Sequence, residues 1–125
     1  MDVRLKRAYE PSARSDGYRV LIDRLWPRGV SKDVAQLDEW ARELAPSSEL
    51  RRWFGHDPAK FDEFRRRYRE ELAAQERKLR ELRRRGDEGT LTLVYGARDS
   101  EHNDAVVLAE LLRKGRRGWN EDGQA

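Results

Sequence analysis

From Val3 to Tyr9, VRLKRAY, apolar and charged residues alternate, the period of two expected of a half-exposed strand. The next segment, EPSARSDGY, is rich in Pro, Ser and Gly and interrupts it. YRVLID then carries the continuous apolar run Val20, Leu21 and Ile22, which suits a strand covered on both faces. Ser31 can cap a helix whose apolar positions Val34, Leu37, Ala41 and Leu44 fall three and four apart, ended by Pro46. Ser47 or Ser48 can open a short helix holding Leu50, Trp53 and Phe54, closed by Gly55.

Asp57-Pro58 is a helix start, with Asp as the cap and Pro at the first helical position. Phe61, Phe64, Tyr68, Leu72, Gln75, Leu79 and Leu82 follow at steps of three and four and form one seam, predicting a long helix to about Arg85. Its outer faces set Glu63 before Arg67, Glu76 before Arg80 and Glu81 before Arg85, each four apart. TLTLVYGA has the strongest strand propensity in the chain. Asp99 or Ser100 can cap a last helix ending near Lys114 and Gly115.

Strands thus alternate with helices. The expected fold is α/β: one compact domain over 1–115, with a small, mainly parallel sheet of about three strands flanked by helices, one of them long and basic. Residues 116–125 read as a flexible tail in which Trp119 is the residue able to dock.

Composition sharpens this picture. Charged residues make up 41% and hydrophobic ones 37%, with a mean hydropathy of -1.06, so the core must be small. Four Trp, four Tyr and three Phe supply the burial that separates a folded domain from a disordered chain of similar charge. There is no cysteine, which removes disulfides, thiol nucleophiles and thiolate metal sites together. No apolar run approaches membrane length and the N-terminus lacks a signal-peptide core, so a cytoplasmic protein without membrane contact is expected. The net charge of +3 is local: Glu63 to Arg85 holds ten basic and five acidic residues, leaving the rest of the chain slightly acidic.

In parallel sheets function collects at the carboxyl ends of the strands. That rule selects DRLWPRG, after the second predicted strand, and YGARDSEHN, after the third. In the first, Pro27 and Gly29 fit a turn beginning at Trp26, which would frame Asp23, Arg24 and Arg28 as an anion clamp. A plainer alternative is an ion-paired corner with Trp26 plugging the core. In the second, Tyr95 would wall the site and a helix N-terminus would face it. Arg98 adds a cation there, with Asp99, Glu101, His102 and Asn103 in the first turn. His56 and His102 are the two histidines, and neither lies on an apolar stripe, so both are candidate acid–base groups oriented by Asp23 or Asp99. No spacing is diagnostic of a metal and no phosphate-loop or dinucleotide fingerprint occurs, so no metal site or cofactor is assigned.

RVLIDRLWPRGVSK, LAPSSELRRWFGHDPAKFDEFRRRYREEL and LTLVYGARDSEHNDAVVLAELL resemble, in order and spacing, the YeaO-like branch of the bacterial domain of unknown function 488 family. The resemblance spans about Val3 to Leu112 and implies a compact α/β domain, without bringing a reaction. In the wider family the third-strand region often carries a cysteine, with a Cys-His-Arg signature at the next helix. Here those regions read Tyr95 and Glu101-His102-Asn103, so thiol chemistry does not transfer.

The leading expectation is a small enzyme or binding protein for an anionic, phosphorylated or nucleotide-like molecule. Arg24, Arg28 and Arg98 would hold the anion, His56 and His102 would move protons, and Trp26 and Tyr95 would form walls. The alternative is a nucleic-acid-binding module using the Arg-rich helix from 57 to 85.

Overall fold

The computed structural model describes the backbone of residues 1–122 and the side chains of residues 1–114. Four strands, β1 (Asp2–Arg7), β2 (Tyr18–Leu21), β3 (Glu39–Trp40) and β4 (Thr90–Tyr95), form one sheet in the order β1-β4-β2-β3. Every pairing is parallel: β1 aligns Val3 with Leu91, β2 aligns Val20 with Leu93, and β3 aligns Trp40 with Leu21. The helices are α1 (Lys32–Ala35), α2 (Ser48–Phe54), α3 (Phe61–Leu72), α4 (Glu76–Glu88) and α5 (Asp104–Asp122). The α/β class and the small parallel sheet are as the apolar pattern predicts, with a fourth, two-residue strand added.

β4 and β2 are the inner strands, which explains the short apolar runs Val20 to Ile22 and Leu93 to Tyr95. Leu91, Leu93, Val20 and Ile22 are buried in one core with Phe64, Tyr68, Leu79, Leu82 and Leu108. The apolar residues of the seam of α3 and α4 are buried, as their spacing predicts, but Gln75 is half-buried and the helix is not continuous. A tight 3-10 turn at Ala73–Gln75 separates α3 from α4, and another at Pro58–Lys60 precedes α3, capped by Asp57. The break lets the two halves use different surfaces: α3 packs on α2 and α5, whereas α4 packs on β1, β4 and α5.

The helix expected from Ser31 to Pro46 is corrected to one turn. Ser31 does cap α1, accepting from Val34 N at 3.1 Å, but Gln36 enters the left-handed region at φ 47° and stops it. Val34, placed on the apolar stripe by its spacing, is 58% exposed. The chain instead runs along the edge of β2, where Asp38 accepts Arg19 N and Ala41 N donates to Leu21 O. Tyr18 on β2 is tied to this edge by its hydroxyl, which donates to Glu39.

Two local readings shift by a few residues. The turn in WPRG closes from Pro27 to Val30, with Gly29 at φ 80° in its third position, rather than beginning at Trp26. The last helix starts at Asp104, capped by Asn103 Oδ1, which accepts Val106 N at 3.0 Å; Asp99 caps the preceding turn instead. α5 also passes Gly115, where a stop was expected. The side chain of Trp119 and the end of the expected tail lie outside the described residues.

Candidate functional site

All four strands point the same way, so the segments leaving them gather at one end of the sheet. A cavity of about 230 Å³ lies there. The segment after β2 contributes Asp23, Arg24 and Leu25 to its lining; α2 and its end contribute Arg51, Phe54 and His56. Gly96 and Ala97 after β4, with Asn103 and Asp104 at the start of α5, complete the polar side.

Local hydrogen bonds explain why these groups stay in place. Asp23 Oδ2 accepts Gly96 N at 2.8 Å, and its own carbonyl accepts Trp40 Nε1 at 2.8 Å. Arg7, at the end of β1, donates from Nε to Ala97 O at 2.8 Å and so holds the same loop from the opposite side. A Cβ on Gly96 would lie 3.2 Å from Asp23 Oδ2, so the close approach favours glycine. α2 is capped by Ser47, whose Oγ accepts Leu50 N at 3.1 Å, and closes at Gly55 with φ 54°. His56 follows in the same left-handed region, φ 58°, an uncommon conformation for a side-chain-bearing residue. It brings the imidazole to the cavity beside Phe54, ring centroids 6.2 Å apart.

The unusual feature is a pair of acids. Asp23 and Asp104 line the cavity together, and carboxyl groups so placed repel each other when both are ionised. Burial, and then the neighbouring Asp23, push the Asp104 carboxyl well above its ordinary range, outweighing the N–H groups at the helix start. Beneath the pair lies Tyr68, fully buried, its hydroxyl donating to Leu44 O at 2.5 Å. Burial, followed by the charges of Asp104, Asp23 and Glu71, raises that hydroxyl far above its usual value.

Of the expected site residues, Asp23, Arg24, His56 and Asn103 line the cavity. Arg28, Trp26, Tyr95, Arg98, Asp99, Glu101 and His102 do not. Arg28 is exposed within the turn, and its carbonyl accepts the hydroxyl of Tyr9. Trp26 packs edge-on against Trp40 at 5.3 Å and donates to Val30 O, a packing role. Tyr95 is 4% exposed within the core, whereas Arg98 and Glu101 are exposed.

His102 and Asp99 form a local pair: Nδ1 and Oδ2 are 2.9 Å apart, and Asp99 Oδ1 also accepts the N–H groups of Glu101 and His102. The N–H of Glu101 first, and then the His102 ring, hold the Asp99 carboxyl below the ordinary range. The His102 ring stands edge-on to Phe61 at 5.2 Å. This arrangement fastens the turn before α5 onto the aromatic cluster.

Nothing in the sequence singles out Asp104 or Arg51. Asp104 resembles any first-turn acid, and only its approach to Asp23 distinguishes it. Arg51 sits among the arginines of a short helix, with nothing local to separate it from Arg52. Among the described residues no group of three or more His, Cys, Asp or Glu is arranged to hold a metal ion, and no helix is long and apolar enough to cross a membrane.

A family model described as the inactive DUF488-N3 subclade matches residues 2–124. The chain is 44% identical over 113 residues to the uncharacterized protein YeaO of Escherichia coli (strain K12), covering 90% of this chain and 98% of that one. It is also 44% identical over 110 residues to the uncharacterized protein Rv3073c of Mycobacterium tuberculosis (strain ATCC 25618 / H37Rv), covering 88% of this chain and 92% of the relative. No solved structure gives a significant match.

Proposed function

Because this chain belongs to the DUF488-N3 family, within its YeaO-like branch, we propose that it binds a small anionic molecule, phosphate- or carboxylate-bearing, at the carboxyl ends of its strands. The reading is of binding rather than turnover. The matching subclade is described as inactive, and the chain has no cysteine where the resemblance of its motifs would seek one. A cytoplasmic setting, where phosphorylated metabolites are held, belongs to the same proposal.

The observation that carries it is the state of two arginines. Arg24 and Arg51 line the cavity, yet among the described residues neither forms an ion pair; Arg24 donates only to the carbonyl of Pro46 at 3.3 Å. Several arginines elsewhere are instead held by acids: Arg19 by Asp16, Arg65 by Glu110, Arg66 by Glu63 and Glu70, Arg80 by Glu76. Guanidinium groups that face a concave site without a carboxylate retain their charge and hydrogen-bond donors for a ligand. His56 adds a third nitrogen donor or acceptor. Leu25, Ala45, Pro46, Phe54 and Phe64 supply the apolar lining usual in ligand sites, and the volume suits a metabolite smaller than a drug.

Thermal denaturation with inorganic phosphate, AMP, ethyl phosphate and small carboxylates tests the reading. A ligand present at about 100 times its Kd adds roughly 2.7 kcal/mol to stability, which a melting curve resolves. Arg24→Gln and Arg51→Gln are expected to weaken binding about tenfold each, the loss of a charge-assisted hydrogen bond. Absence of a shift with every probe, or a shift that survives the double variant, overturns the proposal.

A further inference from the structure

The cavity carries two unpaired signs of charge, and anion binding uses only one of them. Asp23 and Asp104 line the same space as Arg24 and Arg51, yet among the described residues no basic group forms an ion pair with either carboxyl. Asp23 is held by the Gly96 N–H, and Asp104 by backbone N–H groups at the start of α5. Elsewhere in this protein acids close to arginine or lysine pair with them: Asp16 binds both Lys6 and Arg19. A site that sets guanidinium groups and carboxyl groups along one wall without joining them is complementary to a molecule bearing both charges.

We propose that the Asp23–Asp104 pair recognises an ammonium group, so that the cavity takes a zwitterion: a phosphate or carboxylate joined by a short apolar spacer to a primary amine. This rests on the anion-binding reading above and specifies the other end of the same ligand. An ammonium has three N–H donors and a full charge, so it can bond both carboxyl groups at once and offset the repulsion that ionising both would otherwise cost. A neutral hydroxyl brings no charge to offset it. A divalent cation would require more oxygen ligands than two carboxyl groups, and no such group is assembled among the described residues. Between the charged groups the lining is Leu25, Ala45, Pro46, Phe54 and Phe64, which suits a few methylenes and little more.

Phosphoethanolamine and ethyl phosphate carry the same anion on chains of similar length and differ by the amine, so isothermal titration of the intact protein with each isolates its contribution. Phosphoethanolamine is expected to bind about tenfold more tightly, equivalent to about 1.4 kcal/mol, and to release protons to the buffer. In Asp104→Asn, and separately in Asp23→Asn, that preference is expected to fall to about one, each variant first shown to unfold cooperatively. Equal affinity of the wild-type protein for both probes, or tighter binding of ethyl phosphate, overturns the zwitterion while leaving the anion site standing. A preference that persists in both variants overturns the assignment to the acid pair. If neither probe binds at millimolar concentration, both readings fall.

Discussion

Asp23 Oδ2 accepts the backbone N–H of Gly96 at 2.8 Å, fastening the segment after β2 to the segment after β4. The contact makes Asp23 structural as well as a cavity group, and the two roles separate on substitution. Asn can still accept from Gly96 through its amide oxygen and carries no charge beside Asp104. Ala removes the acceptor and leaves a partly buried N–H unsatisfied. Asp23→Ala is therefore expected to be less stable than Asp23→Asn by about 1 to 2 kcal/mol. Urea midpoints at unchanged m-value measure it; coincident midpoints would mean the bond contributes nothing net.

The acid pair gives stability a distinct pH dependence. Burial and Asp23 raise the folded-state pKa of Asp104 above the unfolded value near 3.8. Between those two values the folded protein binds more protons than the unfolded chain, so stability falls as pH rises through the window and levels off above it. Asp104 interacts with Asp23 and with the hydroxyls of Tyr68 on α3 and Tyr95 on β4, and Arg24, Arg51 and His56 line the same cavity. Asp104→Asn lacks this term. It is expected to match the wild type near about pH 4 and to exceed it by about 1 kcal/mol at about pH 8. Denaturation curves across that range decide; a difference that does not grow with pH would mean the pair is not destabilising when ionised.

Much of this fold is legible in the residues, for reasons that also explain what is not. The inner strands announce themselves because both faces are buried and each carries a short apolar run, Val20 to Ile22 and Leu93 to Tyr95. The seam of α3 and α4 is legible because six of its positions recur at helical steps and all are buried. β3 is too short for a period of two to register, and the spacing of Val34, Leu37, Ala41 and Leu44 imitates a helix that Gln36 ends. At the site, strand polarity places Asp23, Arg24, His56 and Asn103 at one end of the sheet. Arg28 and His102 belong to the same segments, but a turn and a local Asp99 pair direct them elsewhere. The Asp23–Asp104 pairing joins residues 81 positions apart and needs the three-dimensional register of β2 with β4.

Gly17 fixes that register. It takes φ 64°, and a Cβ there would lie 2.3 Å from the carbonyl oxygen of Thr90, the first residue of β4. An Ala would meet both left-handed strain and backbone that cannot yield without shifting β4 against β2. Gly17→Ala is expected to cost about 3 kcal/mol or more, the sum of a strained φ and a clash in packed backbone. Because the cavity depends on the ends of these strands, ligand-induced stabilisation should weaken as well. Near-wild-type urea stability of the variant would show that the strand start adapts.

The basic helices offer a final discrimination, between small-molecule and nucleic-acid readings. Sequence places ten basic residues between Glu63 and Arg85, but charge count is not charge availability. Glu63 receives both Arg66 and Arg67, which push its carboxyl down to about 2; Glu70 binds Arg66, and Glu110 binds Arg65 and Arg69. Arg80 pairs with Glu76, Lys78 with Glu39 and Glu81, and Arg85 lies over the ring of Tyr18 at 3.9 Å. A phosphate backbone would have to compete with acids at six of these ten basic residues. Affinity for duplex DNA falls with salt at a log–log slope of about -0.9 per phosphate neutralised. The expected outcome is weak binding with a slope no steeper than about -2, reflecting one or two freely available cations. A slope of about -5 or steeper, measured by fluorescence anisotropy across salt concentration, would show that the helix gives up its internal ion pairs for phosphates. That result would move the functional surface from the cavity to the helix face.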